Sequence, residues 1–309
     1  MNKIIIPSNR VVIIGAGNVG ASIAYSILNQ KISAQILFID IIKEFASTQA
    51  ADMEDSSAFV EGIEIKNVNY SEIRDGDIII ITSGTAQKEG QTRLDLTEVN
   101  KAIIKSVIKN IKQQNKLNYI LIVANPVDLL TYFAIKEIDL PEGLVFGSGT
   151  YLDSGRLRLE LAKEFNINPK DIIAYILGEH GDSSFPALNS VSIGGTYLSN
   201  IKNIDEKYYN EISDKIRKRA YEIIQGKKAT YYGIGTAIAS ICKSIIFNEN
   251  RIFPVSTLVN NHYGIKDVAI GLPALVNNQG AKITFELKLN DIERNMLRKS
   301  VELLKSLIN

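Results

Sequence analysis

The sequence predicts a doubly wound α/β domain built on a parallel sheet, followed by an α+β domain. Three observations carry this reading. Short β-branched runs alternate with helical periodicity through the first half, a glycine-rich turn follows the first run, and the pattern changes near residue 150. The predicted strands of the first part are "RVVIIG" (10–15), "AQILFID" (34–40), "GDIIIIT" (76–82), "LNYILIVA" (117–124) and "GLVFG" (143–147). Runs as uniformly apolar as "DIIIIT" suit parallel strands covered on both faces, and the intervening segments are long enough for crossover helices.

Past residue 150 the reading is α+β. Helical patterns over 150–166, 205–224 and 229–247 alternate with hairpin-like segments over 171–199 and 251–288. The chain closes on a helix, "NDIERNMLRKSVELLKSLI", with Asn290 as its N-cap. The charge run at 207–220 reads as a solvated helix face. The expected division is a dinucleotide-binding domain over 1–148 and a substrate domain over 149–309.

Bulk properties exclude several classes. Lys and Arg total 35 against 34 Asp and Glu, so no strong field draws the chain to nucleic acid or an anionic membrane. No apolar run approaches the roughly 18 residues that span a bilayer. Pro7, Ser8, Asn9 and Arg10 interrupt the apolar start, which therefore does not read as a signal peptide. Cys242 is the single cysteine, so an internal disulfide is excluded and a reducing, cytoplasmic setting is expected.

"GAGNVG" places Gly15, Gly17 and Gly20, with Asn18 between them, directly after a strand and ahead of a helix. That is a Rossmann-type fingerprint: a tight turn, a close approach to pyrophosphate, and close packing of helix on sheet. Asp40 ends the next strand, where a carboxylate accepts hydrogen bonds from ribose hydroxyls and repels a 2′-phosphate. NAD is expected rather than NADP.

The chain holds two histidines, and His180 sits in a glycine-flanked bend, "YILGEHGDSSFPAL". An interior histidine with satisfied hydrogen bonds is one reading. A proton donor to a carbonyl under reduction is the other. Asp153 and Arg156, three apart in "GSGTYLDSGRLRLE", share a helix face. One suits orienting an imidazole; the other suits a two-pronged pair with a substrate carboxylate, although a surface ion pair has the same spacing. "SGTAQKEGQTRLDL" (83–96), with Gly84 and Gly90, reads as a lid at the carboxyl end of the sheet and carries Arg93. "VANPVD" (123–128) adds Asn125 at another strand end.

With these segments in order, the chain resembles the L-lactate/malate dehydrogenase family, most closely its bacterial NAD-dependent lactate branch. "FID", the lid, "ANPVD", "GSGTYLDSGR", "GEHGDS", "KATYYGIG" and "YGIKDVAIGLPALVN" all occur in family order. The resemblance implies reversible NADH-dependent reduction of pyruvate to L-lactate, as in glycolytic fermentation. It assigns His180 as proton donor and acceptor, Asp153 as its orienting carboxylate and Arg156 as the substrate clamp. Arg93 and Asn125 would polarise the C2 oxygen. Val19, Asp40, Gly84, Thr85, Val123, Ala124 and Asn125 would line the NAD site, and Tyr70, Ser106 and Ile234 match further cofactor positions.

Gln87 falls where malate enzymes of this type carry Arg, and Thr230 matches the opposite pocket wall of the lactate type. The resemblance also implies a homotetramer. It implies activation by fructose 1,6-bisphosphate through an Arg and a His, but here Arg158 stands with Ile173, so a weak or absent response is expected. A malate or L-2-hydroxyisocaproate-type dehydrogenase is the alternative within the family. Outside it stand an NAD- and metal-dependent glycosidase and a catalytically silent NAD-binding protein. No metal is expected, and Cys242 is read as a buried structural thiol.

Overall fold

The computed structural model describes residues 5–60, 62–85 and 93–308, the last segment with side chains from Thr97 onward. Six parallel strands form the first half of one sheet: β1 (Arg10–Ile14), β2 (Gln35–Ile39), β3 (Glu64–Asn67), β4 (Ile78–Ile81), β5 (Tyr119–Ile122) and β6 (Val145–Gly147). Their spatial order is β3-β2-β1-β4-β5-β6, so the winding direction reverses between β1 and β4. In an open parallel sheet that reversal opens a crevice at the carboxyl ends of the strands, where ligands bind.

The uniformly apolar strands have a direct physical reading. Val11, Ile13, Phe38, Ile80 and Leu121 face one core with α1 (Asn18–Asn29) and α2 (Lys43–Glu54). Val12, Ile14, Leu37, Ile81 and Ile122 face the other, with α3 (Arg93–Gln113) and α4 (Val127–Glu137). Alternate side chains point to opposite faces, so a strand buried on both sides needs apolar residues at every position. β3 was not among the expected strands: "EIKN" has a single buried side chain, Ile65, too little for a periodicity signal.

The second half contains α5 (Tyr151–Phe165), the short strands β7 (Ile172–Ile173), β8 (Ile176–Leu177), β9 (Phe185–Pro186), β10 (Ser192–Ile193) and β11 (Thr196–Tyr197), then α6 (Glu206–Lys227) and α7 (Tyr232–Ile246). A long hairpin, β12 (Arg251–His262) and β13 (Ile265–Asn277), with β14 (Gly280–Lys282), leads to α8 (Asp291–Ile308). Asn290 accepts the Glu293 N–H at 2.9 Å while Glu293 accepts the Asn290 N–H at 3.1 Å, the expected cap of α8 in its reciprocal form.

Two features differ from a second domain merely packed on the first. β12 pairs antiparallel with β6 at Ser256 and Gly147, extending the parallel sheet to nine strands. α7 lays Ile238, Ile241, Cys242 and Ile245 into the core on α1. The 207–220 run is likewise more than a solvated face, because Tyr208, Tyr209, Ile212 and Ile216 of α6 are buried. Among the described residues no helix is long and apolar enough to cross a membrane.

Candidate active site

The glycine turn is built from backbone. Gly15 has φ +107°, and a Cβ there would lie 2.6 Å from Thr82 Oγ1 and 2.8 Å from the Ser83 nitrogen across the β1–β4 crevice. A Cβ on Gly20 would lie 2.0 Å from the Gly15 carbonyl oxygen, so only glycine lets α1 seat against the turn. Gly17 is the opposite case, since a Cβ there would meet nothing within 4 Å. It precedes a helix start with no side-chain cap, leaving N–H groups of the first turn open to an anion.

Asp40 closes the turn: its Oδ2 accepts the Ala16 N–H at 2.8 Å and its Oδ1 accepts the Ile42 N–H at 2.9 Å. Exposed Ile41 and Ile42 follow it, so no guanidinium stands there to receive a 2′-phosphate. Ser83 Oγ is buried beside Gly15 with no hydrogen-bond partner among the described residues. An open helix N-terminus, a carboxylate at the end of β2 and an orphaned hydroxyl at one crevice fit a dinucleotide.

Asn100, which no sequence motif singled out, locks the far side of this crevice. Its Oδ1 accepts the Thr85 N–H at 2.8 Å, and its amide donates to the Thr85 carbonyl at 3.2 Å and the Asn125 carbonyl at 2.8 Å. The loops after β4 and β5 are thereby held by one buried side chain of α3. The only signal available was a polar residue on an apolar face of "TEVNKAII".

His180 follows β8, and its loop is pinned from several directions. The Ile176 N–H donates to Ser154 Oγ of α5 at 2.8 Å, Gly178 and Gly271 exchange two backbone bonds, and the Glu179 N–H donates to Ser300 of α8 at 2.7 Å. On that support His180 Nδ1 lies 2.7 Å from Asp153 Oδ2, while Arg156 donates to Asp153 Oδ1 at 2.8 Å. An ionised carboxylate accepts only, so Nδ1 carries the proton and Nε2 is the ring nitrogen left for chemistry. These side chains meet Val19, Val123, Asn125, Thr230 and Ile234 around a cleft of about 250 Å³.

Comparison with known proteins bears on the same chain. Residues 9–147 match the NAD-binding domain model of lactate/malate dehydrogenase, and residues 150–309 match its alpha/beta C-terminal domain model. The chain belongs to the lactate/malate dehydrogenase family. It is 39% identical over 302 residues to an L-lactate dehydrogenase of Pediococcus pentosaceus, covering 97% of this chain and 94% of that one. It is 41% identical over 300 residues to an L-lactate dehydrogenase of Halalkalibacterium halodurans, covering 97% and 96%. Among solved structures, a lactate dehydrogenase from a Medee basin deep-sea metagenome library superposes with a TM-score of 0.93 at 41% identity, covering 97% of each chain. The minor L-lactate dehydrogenase of Enterococcus mundtii also gives 0.93, at 37% identity, covering 99% and 98%. Lactate/malate dehydrogenases are NAD-dependent oxidoreductases, and the glycine turn lies within the NAD-binding domain of this one.

Electrostatics in this dehydrogenase favour an imidazolium. Burial works against charge on His180, but the charge and hydrogen bond of Asp153, with the charge of Asp128, outweigh it and raise the ring above its ordinary pKa. Burial likewise opposes ionisation of Asp153, and His180 and Arg156 together hold it below the usual carboxylate value.

The remaining expected residues distribute unevenly. Asn18 opens α1 but lines a separate groove with Tyr25 and Tyr232. Tyr70 is half-buried, its pKa raised by burial with Asp40 nearby, and Ser106 lies exposed on α3. Gly84 and Ala124 face each other across the Asn100 clamp. Arg93 begins α3, but its side chain, like all of Gln87 and Gly90, lies outside the described residues. Ile173 is 56% exposed on β7. Cys242 is fully buried among isoleucines, which pushes its thiol up to about 12 and suits packing rather than metal ligation.

Proposed function

We infer that this cleft reduces pyruvate to L-lactate, with His180 as proton donor and, in reverse, proton acceptor. The observation that carries the reading is the His180–Asp153–Arg156 constellation beside the nucleotide crevice. Asp153 fixes the tautomer and keeps the ring protonated, leaving Nε2–H to donate to the C2 oxygen as it gains negative charge. Arg156 receives the substrate carboxylate on its planar fork, which sets the orientation of the keto group. Asn125 and Arg93 polarise the same oxygen, and Asp40 with the turn at Gly15–Gly20 holds the nucleotide. NADH, when bound, supplies the hydride.

Thr230 lines the cleft, and in this reading Gln87 of the lid would stand with it at the substrate's methyl end. A second carboxylate there would be desolvated without a partner, at a cost of several kcal/mol, on the order of a thousandfold in preference. The test is NADH oxidation with pyruvate and with oxaloacetate, for the wild type and Gln87→Arg. The wild type is expected to favour pyruvate and the variant to swing toward oxaloacetate. A wild type that prefers oxaloacetate overturns the substrate assignment.

The division at 148/149, a cytoplasmic setting and a homotetramer belong to the same reading. Supporting assembly, Tyr25, Phe59 and Tyr232 are large apolar side chains left 55%, 89% and 71% exposed. Sedimentation of the purified protein checks the tetramer. With Ile173 in place of the histidine expected to act with Arg158, fructose 1,6-bisphosphate is expected to leave the pyruvate KM nearly unchanged.

A further inference from the structure

Behind His180 lies a second carboxylate to which the assigned roles give no work. Asp128, on the first turn of α4, is 2% exposed, and its Oδ2 accepts the backbone N–H of His180 at 2.7 Å. Its Oδ1 has no hydrogen-bond partner among the described residues, nor have the buried hydroxyls of Thr131 and Ser256. These groups converge: a Cβ on Gly147 would meet Thr131 Oγ1 at 2.3 Å and Ser256 Cβ at 3.1 Å. The Ser256 hydroxyl faces Asp128 and favours its charged form, although the two do not complete a hydrogen bond.

We propose that Asp128 is a positioning residue for His180, anchoring its loop through the backbone N–H and facing the ring with a negative charge that Arg156 does not neutralise. The need for it follows from how Asp153 is shared. One Asp153 oxygen serves Arg156 and the other serves His180, and the Arg156 charge opposes protonation of the ring. Asp128 supplies a second negative charge, from the carboxylate that already holds the His180 backbone N–H. Burial raises the Asp128 pKa, while Ser256, the His180 N–H and the His180 charge act to keep it ionised.

The other charged groups near the ring are already engaged. Glu179 accepts from Ser183, the Asp182 carboxylate accepts from Tyr221 of α6, and Arg217 of α6 pairs with Asp214 while donating to the Asp182 backbone carbonyl. α8 and β13 present Ser300 and Gly271, which carry no charge.

This proposal rests on His180 as the proton-transfer group, and the experiment separates the two. Asp128→Asn keeps an acceptor for the His180 N–H and removes the charge, with an NH2 in place of one oxygen. The chain has two histidines, so ¹³C-histidine-labelled protein gives two ring signals, and His262→Gln identifies that of His180. In Asp128→Asn the His180 titration is expected to move down by about one pH unit. Pyruvate reduction, which needs the protonated ring, then loses about tenfold in kcat/KM on the alkaline side, and the rising limb of lactate oxidation moves to lower pH by the same amount.

An unmoved His180 titration overturns the proposal, as does an equal loss in both directions at every pH, which is what a purely structural role would give. Should Asp128→Asn fail to fold, Ser256→Ala removes an unpartnered hydroxyl and is expected to move His180 the same way by less. An unmoved titration there is equally fatal. Turnover surviving in His180→Asn would refute the proton-donor reading itself, whatever the ring titrations show.

Discussion

The glycine turn and the proposed proton-transfer site face one crevice but are made differently. The turn is backbone: Gly15, Gly17 and Gly20 lie within six residues, and the atoms that matter are N–H groups and the space where a Cβ would be. The proton-transfer site is side chains drawn from α4, α5 and the loop after β8, held by hydrogen bonds spanning 22 to 121 residues. A backbone site is specified locally and tolerates only glycine where atoms are crowded. A side-chain site depends on many distant anchors, and each member can be altered without disturbing the turn.

The sharpest way to break that comparison is His180→Asn. Pyruvate turnover is expected to fall about a thousandfold while NADH affinity, followed by fluorescence quenching, stays within about twofold. If NADH affinity falls in parallel, the two sites are not separable. The next effect tests the turn against itself. Gly20→Ala forces a methyl onto the Gly15 carbonyl and should cost about 3 kcal/mol in urea unfolding. Gly17→Ala meets open space and should leave stability within about 0.5 kcal/mol, yet weaken NADH binding about tenfold, because the methyl stands where a pyrophosphate would approach. Equal losses of stability in the two variants would mean that Gly17 is structural. The smallest effect is expected of Asp40→Ser, which should narrow the preference for NADH over NADPH about tenfold by removing the repelling charge. An unchanged ratio would place that selectivity elsewhere.

pH separates the halves in stability as well. The raised His180 pKa contributes stability that is complete below the ordinary imidazole value and is lost as pH rises through the folded value. The lowered Asp153 pKa contributes stability present above its ordinary value and lost as pH falls through the folded one. In the turn, both oxygens of the Asp40 carboxylate serve backbone N–H groups.

Much of this molecule was legible in the chain. Doubly buried strands announce themselves by apolar residues at every position, and the fingerprint by glycine spacing. His180, Asp153 and Arg156 were identified as candidates because imidazole is scarce here and the surrounding segments follow a family order. Composition and motif order by themselves determined the fold class and the cofactor, and they put forward the candidate reacting side chains. Only the tertiary structure decided that β12 continues the parallel sheet, that α7 completes the core on α1, that Asn100 ties two loops together and that Asp128 stands behind His180. The physical reason is range. Periodicity and spacing report on neighbours along the chain, whereas a buried asparagine or a second carboxylate looks like any polar residue until packing shows which distant backbone groups it must satisfy.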